Sequence, residues 1–493
     1  MRSCDRAAPV CYNNVAIAQD VEDLPRRIGG VTIETITDTG VLKRERNAML
    51  AVLRRRDFRL VFIGETISLL GDQFSLIALP WLVLKLTADP LAMGTVLALA
   101  GIPRALFILV GGALSDRFSP RRVMLASNLG RMLLVGILAA LVMTRVIELW
   151  MVYLFALCFG LADAFFFPAQ GSIVPQLVAK NELQAANSLV QGMAQLSQIA
   201  GPVVAGALIA VLTGSPSTAQ AQAAAAPNIY GIGIAFAIDA LTFAVSVATL
   251  WMIGTLPNPD GAEQGTASQP VDTSRNLFSS IAQGAAFVWN DQVLRWLFGI
   301  VAAVEFLAVG PFMVGIPVLA DTRLPEGAMA FGIVMSAWGG GSLLGVILAG
   351  TLPRPSPRHL GRVMLTLAGT FGPGLMVYGL VPSTPALALT TACLGAANGY
   401  VVILFISWLQ QRVPTTLLGR TMSLLIFASI GLLPVSQAMS GALVKLDIRA
   451  MFLGAGLLIC AVVARAWLVP AVRDFGLLAS QPAEDVQEDK EGV

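Results

Sequence analysis

Long apolar runs constrain the fold of this chain more than any other feature. Between Phe58 and Pro470, stretches of about 20 apolar residues alternate with short gaps that hold charged residues, glycine or proline. About 20 apolar residues are what an α-helix needs to cross the hydrocarbon core of a bilayer. A backbone in lipid must satisfy its own hydrogen bonds, so the runs predict transmembrane helices.

Twelve runs are long enough to span a membrane. They are 58–86, 91–114, 122–144, 149–168, 187–213, 230–254, 293–319, 328–351, 362–382, 386–409, 421–444 and 450–470. Only 13% of the residues are charged and 56% are hydrophobic, whereas about 25% are charged in ordinary globular domains. We therefore expect an all-α polytopic membrane protein with twelve transmembrane helices in two six-helix halves.

The composition argues against several kinds of function. The chain has one histidine, His359, and its five cysteines have neither metal-ligand nor disulfide spacing. The 32 basic and 30 acidic residues nearly cancel, so there is no basic footprint for nucleic acid. We expect no enzyme activity, no metal, no cofactor and no nucleic-acid partner.

Basic residues indicate the orientation in the membrane. Seven lysines and arginines lie between Lys43 and Arg59, before the first span, and ten lie in the loops on the same side, against five on the other. By the positive-inside rule, both termini are expected in the cytoplasm and the protein in the cell membrane.

The polar gap at 256–292 divides the spans into two sets of six. The expected domains are a mostly disordered cytoplasmic extension at 1–53, an N-terminal half at 54–255, a cytoplasmic linker at 256–292, a C-terminal half at 293–472 and an acidic tail at 473–493.

Short matches between the halves suggest duplication. Gly112-x-Leu114 recurs 238 residues later, Arg122-Val123-Met124 recurs 240 residues later, and Ser188-Leu189 recurs 235 residues later. Parallel repeats of six spans are the architecture of one large transporter class.

The gap GGALSDRFSPRR, from Gly111 to Arg122, resembles the signature G-x-L-a-D-r-x-G-r-K/R-K/R of the major facilitator superfamily. The matching residues are Gly112, Leu114, Asp116, Arg117, Arg121 and Arg122. Ser119 and Pro120 depart from the pattern, so we expect proline to tighten the turn. The resemblance implies that Asp116 and Arg117 latch a cytoplasmic gate; alternatively, the arginines only set topology. The second copy, GTLPRPSPRHLGR, has no acid, so the latch is expected in the N-terminal half.

Four further segments narrow the resemblance. RRRDFRLVFIGETISLLGDQFSLIALPWLV, GLADAFFFPAQGSIVPQLV, NELQAANSL and AIDALTFAVS, in this order, resemble the branch that includes macrolide efflux pumps and the enterobactin exporter. This resemblance implies a monomer in membrane lipid that exports small amphipathic substrates, with the proton gradient as its energy source.

Span five contains a second motif. Gly201, Pro202 and Gly206 resemble the end of a motif associated with antiporters. Proline removes a backbone hydrogen bond and small residues allow close contact, so the motif predicts a bendable, tightly packed helix. The alternative is ordinary small-residue packing.

Charges inside the spans are costly and are functional candidates by default. They are Glu65, Asp72, Arg104, Arg131, Asp163, Asp239, Glu305 and Arg465. Glu65 and Asp72 are seven residues apart and share a helix face with Ser68, which we expect to line the cavity.

Proton coupling needs an acid that can change between a neutral and a charged setting. Asp72 is our first candidate for coupling or substrate binding, with Glu65 and Arg104 as expected partners; the alternative is a structural hydrogen bond. Asp163 and Asp239 fit a structural or a proton-binding role. Glu305 lies outside these motifs and is the candidate for cation selectivity.

Three functions are consistent with these features. The first is the proton-coupled exporter, and the second is a translocator of lysophospholipid-like lipids that needs no proton. The third, a scaffold or sensor, has no supporting kinase, nucleotide-binding or receptor signature in the sequence. The fold alone does not choose between the first two.

Overall fold

The computed structural model describes residues 49–213, 229–254, 285–413 and 415–475, which are helical and contain no strand. By its contacts the chain divides at residue 52, and the described residues from 52 onward belong to the second unit. The extension, most of the linker and most of the acidic tail lie outside the described residues, so the domain boundaries stay predictions.

The helices of the second unit are named here in chain order. They are α1 (Arg56–Thr87), α2 (Pro90–Arg117), α3 (Pro120–Met143), α4 (Leu149–Leu177), α5 (Leu183–Thr213), α6 (Tyr230–Met252), α7 (Gln292–Arg323), α8 (Ala328–Thr351), α9 (Pro357–Gly369), α10 (Phe371–Leu380), α11 (Thr384–Arg412), α12 (Thr415–Ile430), α13 (Leu433–Trp467) and α14 (Pro470–Arg473).

The described residues contain eleven helical segments long and apolar enough to cross a membrane. The last of them, Leu424–Trp467, has 44 residues, about twice the length that one crossing needs. Inside it, Asp447 has an extended backbone with φ −160° and ψ 116°. This segment therefore contains the last two predicted spans, with Asp447 between them, and the twelve-span fold is confirmed.

Helix α4 continues through two prolines, although proline usually ends or kinks a helix in soluble proteins. The fourth span was predicted to end at residue 168, but α4 continues through Pro168 and Pro175 to Leu177. The Ser172 hydroxyl donates to the Pro168 carbonyl at 2.9 Å. The carbonyl groups that the two prolines leave without an N–H partner are those of Ala164 and Gly171, and in membrane helices neighbouring groups can satisfy such carbonyls.

Within each half, the helices pack in two groups. In the N-terminal half, α1 packs against α5 and α6, while α2 packs against α4. In the C-terminal half, α13 packs against α7 and α10, while α8 packs against α11.

The halves meet where α2 crosses α13 and where α5 crosses α8. A Cβ atom on Gly94 would lie 3.0 Å from the Cα of Gly441, and one on Gly206 would lie 3.1 Å from the Cα of Gly332. Gly94 and Gly332 are 238 residues apart, and Gly206 and Gly441 are 235 apart. These are two of the offsets of the sequence repeat, so the two crossings use repeat-equivalent glycines.

Two ion pairs also join the halves, at the membrane face where α1 ends and α2 begins. We call it the joined face, and the charge pattern predicts that it is external. Lys85 Nζ lies 2.6 Å from Asp321 Oδ1, and Lys445 Nζ lies 3.0 Å from Asp89 Oδ2. Helices α1 and α7 both have 32 residues, and Lys85 and Asp321 are each two residues before the helix end.

Candidate functional site

The signature loop lies between α2 and α3. Helix α2 ends at Arg117, and Ser119 caps α3, which begins at Pro120. The side chains of Asp116 and Arg117 lie outside the described part of the structure, so the latch, which also includes Gly112, stays a prediction.

The last two signature residues lie at the start of α3. Arg121 donates to the carbonyl oxygens of Leu250 and Trp251, at 2.8 and 2.9 Å. It therefore ties the start of α3 to the end of α6 within the N-terminal half. The side chain of Arg122 is exposed.

Helix α5 crosses α1 and α8, and its motif contacts both of them. A Cβ atom on Gly201 would meet the side chain of Gln73 in α1. Two residues further on, the Val203 N–H donates to the Ser336 hydroxyl of α8 at 3.0 Å. This bond joins the two halves beside Pro202. Together with the contact of Gly206, these contacts show close packing at the motif; its role in antiport stays a prediction.

Asp163, in α4, forms an ion pair with Arg131 of α3. Arg104, from α2, lies 4.0 Å from the other carboxylate oxygen of Asp163. One acid and two arginines from three successive helices thus form a charged group inside the N-terminal half.

Aromatic rings surround the guanidinium group of Arg131, whose side chain is 2% exposed. Its Cζ atom lies 4.0 Å from the ring centroid of Phe166, and three more rings lie within 6 Å: Phe159, Phe167 and Phe243. Cation–π attraction strengthens in such desolvated sites. We noted Arg131 in the sequence only as a membrane charge, because the spacing of Arg131 and Asp163 does not show that their helices face each other.

Glu65 belongs to a hydrogen-bonded cluster between α1, α3, α4 and α6. Its carboxylate accepts from the Ser246 hydroxyl and from the Gln170 amide, both at 3.0 Å. Asn128 donates to Ser246 at 2.8 Å. Glu65 and Gln170 also border a narrow cleft, lined otherwise mainly by apolar residues.

Asp72 lies on the face of α1 that packs against α6, next to residues that contact Asp239. A Cβ atom on Gly71 would lie 2.7 Å from Asp239 Oδ1. Asp239, in α6, accepts hydrogen bonds from the hydroxyls of Ser75 and Thr242. The expected partner Arg104 lies instead beside Asp163, because α2 packs against α4.

The face of α1 that carries Glu65, Ser68 and Asp72 packs against α6, whereas we expected it to line the cavity. Glu65 is 6% exposed and Ser68 is 2% exposed. The polar face is buried because α6 supplies matching groups, Ser246 and Asp239, along its length.

Glu305 differs from the acids of the N-terminal half. Within the described residues it makes no hydrogen bond and no ion pair, although it lies in the middle of α7. Arg465 packs over the ring of Trp296 at 5.4 Å, near one end of its span. The described residues contain no group of three or more His, Cys, Asp or Glu side chains that could hold a metal ion.

Comparison with known proteins identifies the family. The model of the Major Facilitator Superfamily matches residues 61–433. The multidrug efflux pump Tap of Mycobacterium tuberculosis is 27% identical over 432 residues, which cover 85% of this chain and 94% of Tap. The enterobactin exporter EntS of Escherichia coli is 24% identical over 364 residues, which cover 74% of this chain and 79% of EntS.

A solved structure shows the same fold. The nucleoside transporter NupG superposes with a TM-score of 0.62 at 13% identity, over 83% of this chain and 98% of NupG. The twelve apolar spans, the paired halves and the family match agree. The chain therefore belongs to the major facilitator superfamily and is a membrane transporter, not an enzyme.

Proposed function

We propose that the protein exports amphipathic small molecules from the cytoplasm by alternating access, in exchange for protons. The relatives Tap and EntS, a multidrug efflux pump and an enterobactin exporter by name, support the direction of transport. The working unit proposed is a single copy in the cell membrane, with both termini in the cytoplasm and no cofactor besides the proton gradient.

The packing of Asp239 against α1, where it contacts Ser75 and lies beside Gly71, supports the proposed proton coupling through the neighbouring Asp72. Two carboxyl groups that interact in a low-dielectric site resist being ionised together, so one of them holds a proton more readily. Asp239 is fixed by two hydroxyl donors, whereas Asp72 makes no hydrogen bond among the described residues. Asp72 is therefore the group proposed to exchange protons.

Arg131 supplies the second setting that coupling requires. It forms its ion pair with Asp163 inside the same half of the protein. A movement that brought Asp72 closer to Arg131 would favour the carboxylate, and a movement away would favour the neutral acid. Rocking between the halves can thus be linked to proton release and uptake.

The test uses proteoliposomes that contain the purified protein and the neutral dye N-phenyl-1-naphthylamine. An imposed pH gradient should drive dye uptake by the wild type, and Asp72→Asn should abolish this uptake while leaving exchange of dye without a gradient. Asp57→Asn, in the first turn of the same helix, is the matched control and should behave as wild type.

Unchanged gradient-driven uptake by Asp72→Asn would remove Asp72 from coupling. Transport of a lysophospholipid that a protonophore leaves unaffected would favour the lipid translocator instead.

A further inference from the structure

Glu305 is a membrane acid that the proton-coupling cluster does not use. It lies near the midpoint of α7, in the other half of the protein, and its side chain is partly exposed. No charged side chain of the described chain interacts with it. By contrast, Glu65, Asp163 and Asp239 all have hydrogen-bond or ion-pair partners.

The neighbours of Glu305 along α7 show which way it points. Phe298 and Phe312 are each seven residues away, so they lie on the same helix face, about 10 Å to either side. Phe298 packs against Phe405 of α11, with ring centroids 6.3 Å apart, and Phe312 packs against Trp338 of α8 at 5.7 Å. Glu305 therefore faces the interior of the C-terminal half, between two aromatic contacts.

A more open face of α7 lies elsewhere. Gly299 is exposed, and a Cβ atom there would meet nothing within 4 Å. At about 100° per residue, Gly299 lies about 120° around the helix from Glu305. Glu305 therefore does not share the open face at Gly299.

The surroundings of Glu305 suit one class of ligand. A carboxylate at membrane depth is costly without a partner, and either a bound proton or a bound cation removes this cost. Aromatic rings such as Trp338 and Phe312 attract organic cations through their faces and accommodate apolar groups. We infer that Glu305 binds the positive charge of an amphipathic organic cation, with the flanking aromatic side chains holding its apolar body.

This inference rests on the proposed export of amphipathic molecules and specifies the charge of a preferred substrate. It also separates two roles. The acids of the N-terminal half exchange the proton, and Glu305 binds the charged group of the substrate. A neutral substrate should then be transported without any contribution from Glu305.

Equilibrium binding to the purified full-length protein tests the inference. The probes are tetraphenylphosphonium and tetraphenylborate, which have nearly the same shape and opposite permanent charges. We expect the wild type to bind the cation more tightly than the anion. Glu305→Gln should weaken cation binding about tenfold, the loss expected for one charge-assisted contact, and should not weaken anion binding.

Two further variants act as controls. Glu305→Asp keeps the charge and should retain more of the cation affinity than Glu305→Gln. Glu148→Gln makes the same chemical change at an exposed site before α4, and its affinities should match the wild type. A size-exclusion elution profile like that of the wild type should show that Glu305→Gln is folded.

Equal cation affinities in the wild type and Glu305→Gln, or no preference of the wild type for the cation, would overturn the inference. Either result leaves the export of neutral dye intact. Loss of that export in the wild type would instead reject the proposed function, so the two failures are distinguishable.

Discussion

Arg131 is the residue whose removal should cost most stability. Arg131→Met keeps an apolar side chain among the rings but leaves the carboxylate of Asp163 with only the more distant Arg104, at 4.0 Å. Removing one member of a buried ion pair typically costs about 3–5 kcal/mol. We expect a marked fall in the thermal unfolding midpoint of the purified protein in detergent.

The double variant Arg131→Met/Asp163→Asn is the matched control. It removes both charges, so it should recover a large part of the lost stability. A double variant as unstable as the single one would show that the ring contacts, and not the ion pair, make Arg131 necessary.

Individual charges were easier to predict than their partners. Asp72, Asp163, Asp239 and Glu305 stand out because each interrupts an apolar run. Which groups they meet depends on how the helices rotate and pack, and a single sequence does not contain this information. Arg104 therefore lies 4.0 Å from the Asp163 carboxylate, whereas we expected it to be a partner of Asp72.

At the scale of elements, two glycines of α5 should respond differently to replacement by alanine. Gly206→Ala places a methyl group against the backbone of α8, and overpacking of this kind typically costs about 1–3 kcal/mol. Gly192→Ala, also in α5, has nothing within 4 Å of its new Cβ. It should be neutral or stabilising by up to about 1 kcal/mol, because alanine favours helix over glycine.

Thermal unfolding midpoints of the two variants measure this contrast. We expect the midpoint to fall for Gly206→Ala and to stay or rise for Gly192→Ala. If both variants unfolded at the same temperature, the close approach of α5 and α8 would not restrict the size of the side chain at position 206.

The elements themselves were largely predictable, because a run of about 20 apolar residues in lipid has few structures open to it besides a helix. Their ends were less so. Helix α4 passes through two prolines, and the predicted ninth span consists of α9 and α10, which meet at Thr370. Such continuations and breaks depend on neighbouring helices that satisfy freed backbone groups, which the run itself does not show.

At the scale of the whole molecule, the ion pairs should hold the joined face closed. Lys85→Asp places two carboxylates together and should separate the halves there, whereas the exchange Lys85→Asp/Asp321→Lys should restore the contact. Pulsed electron paramagnetic resonance measures the separation between spin labels at Val146 and Leu446. These residues belong to opposite halves, and they are 58% and 83% exposed.

We expect longer distances in Lys85→Asp and wild-type distances in the exchange variant, with native cysteines replaced throughout. Identical distance distributions in all three proteins would show that this pair does not control the joined face.

The second ion pair fixes the pH range of this experiment. A hydrogen bond from Lys445 holds the pKa of Asp89 below its usual range. The pair therefore contributes fully above the unfolded-state pKa of about 4 and is lost only as the pH falls through the lower folded value. Measurements near neutral pH thus compare proteins in which this pair is ionised.

The two ion pairs also bear on the membrane potential. Each half contributes one cation and one anion: Lys85 and Asp89 from the first half, and Lys445 and Asp321 from the second. A charge that crosses the whole membrane exchanges about 2.3 kcal/mol with a potential of 100 mV. Because neither half carries net charge from these pairs, their separation moves no net charge through the field. These two ion pairs therefore contribute no voltage dependence to the separation of the halves at the joined face.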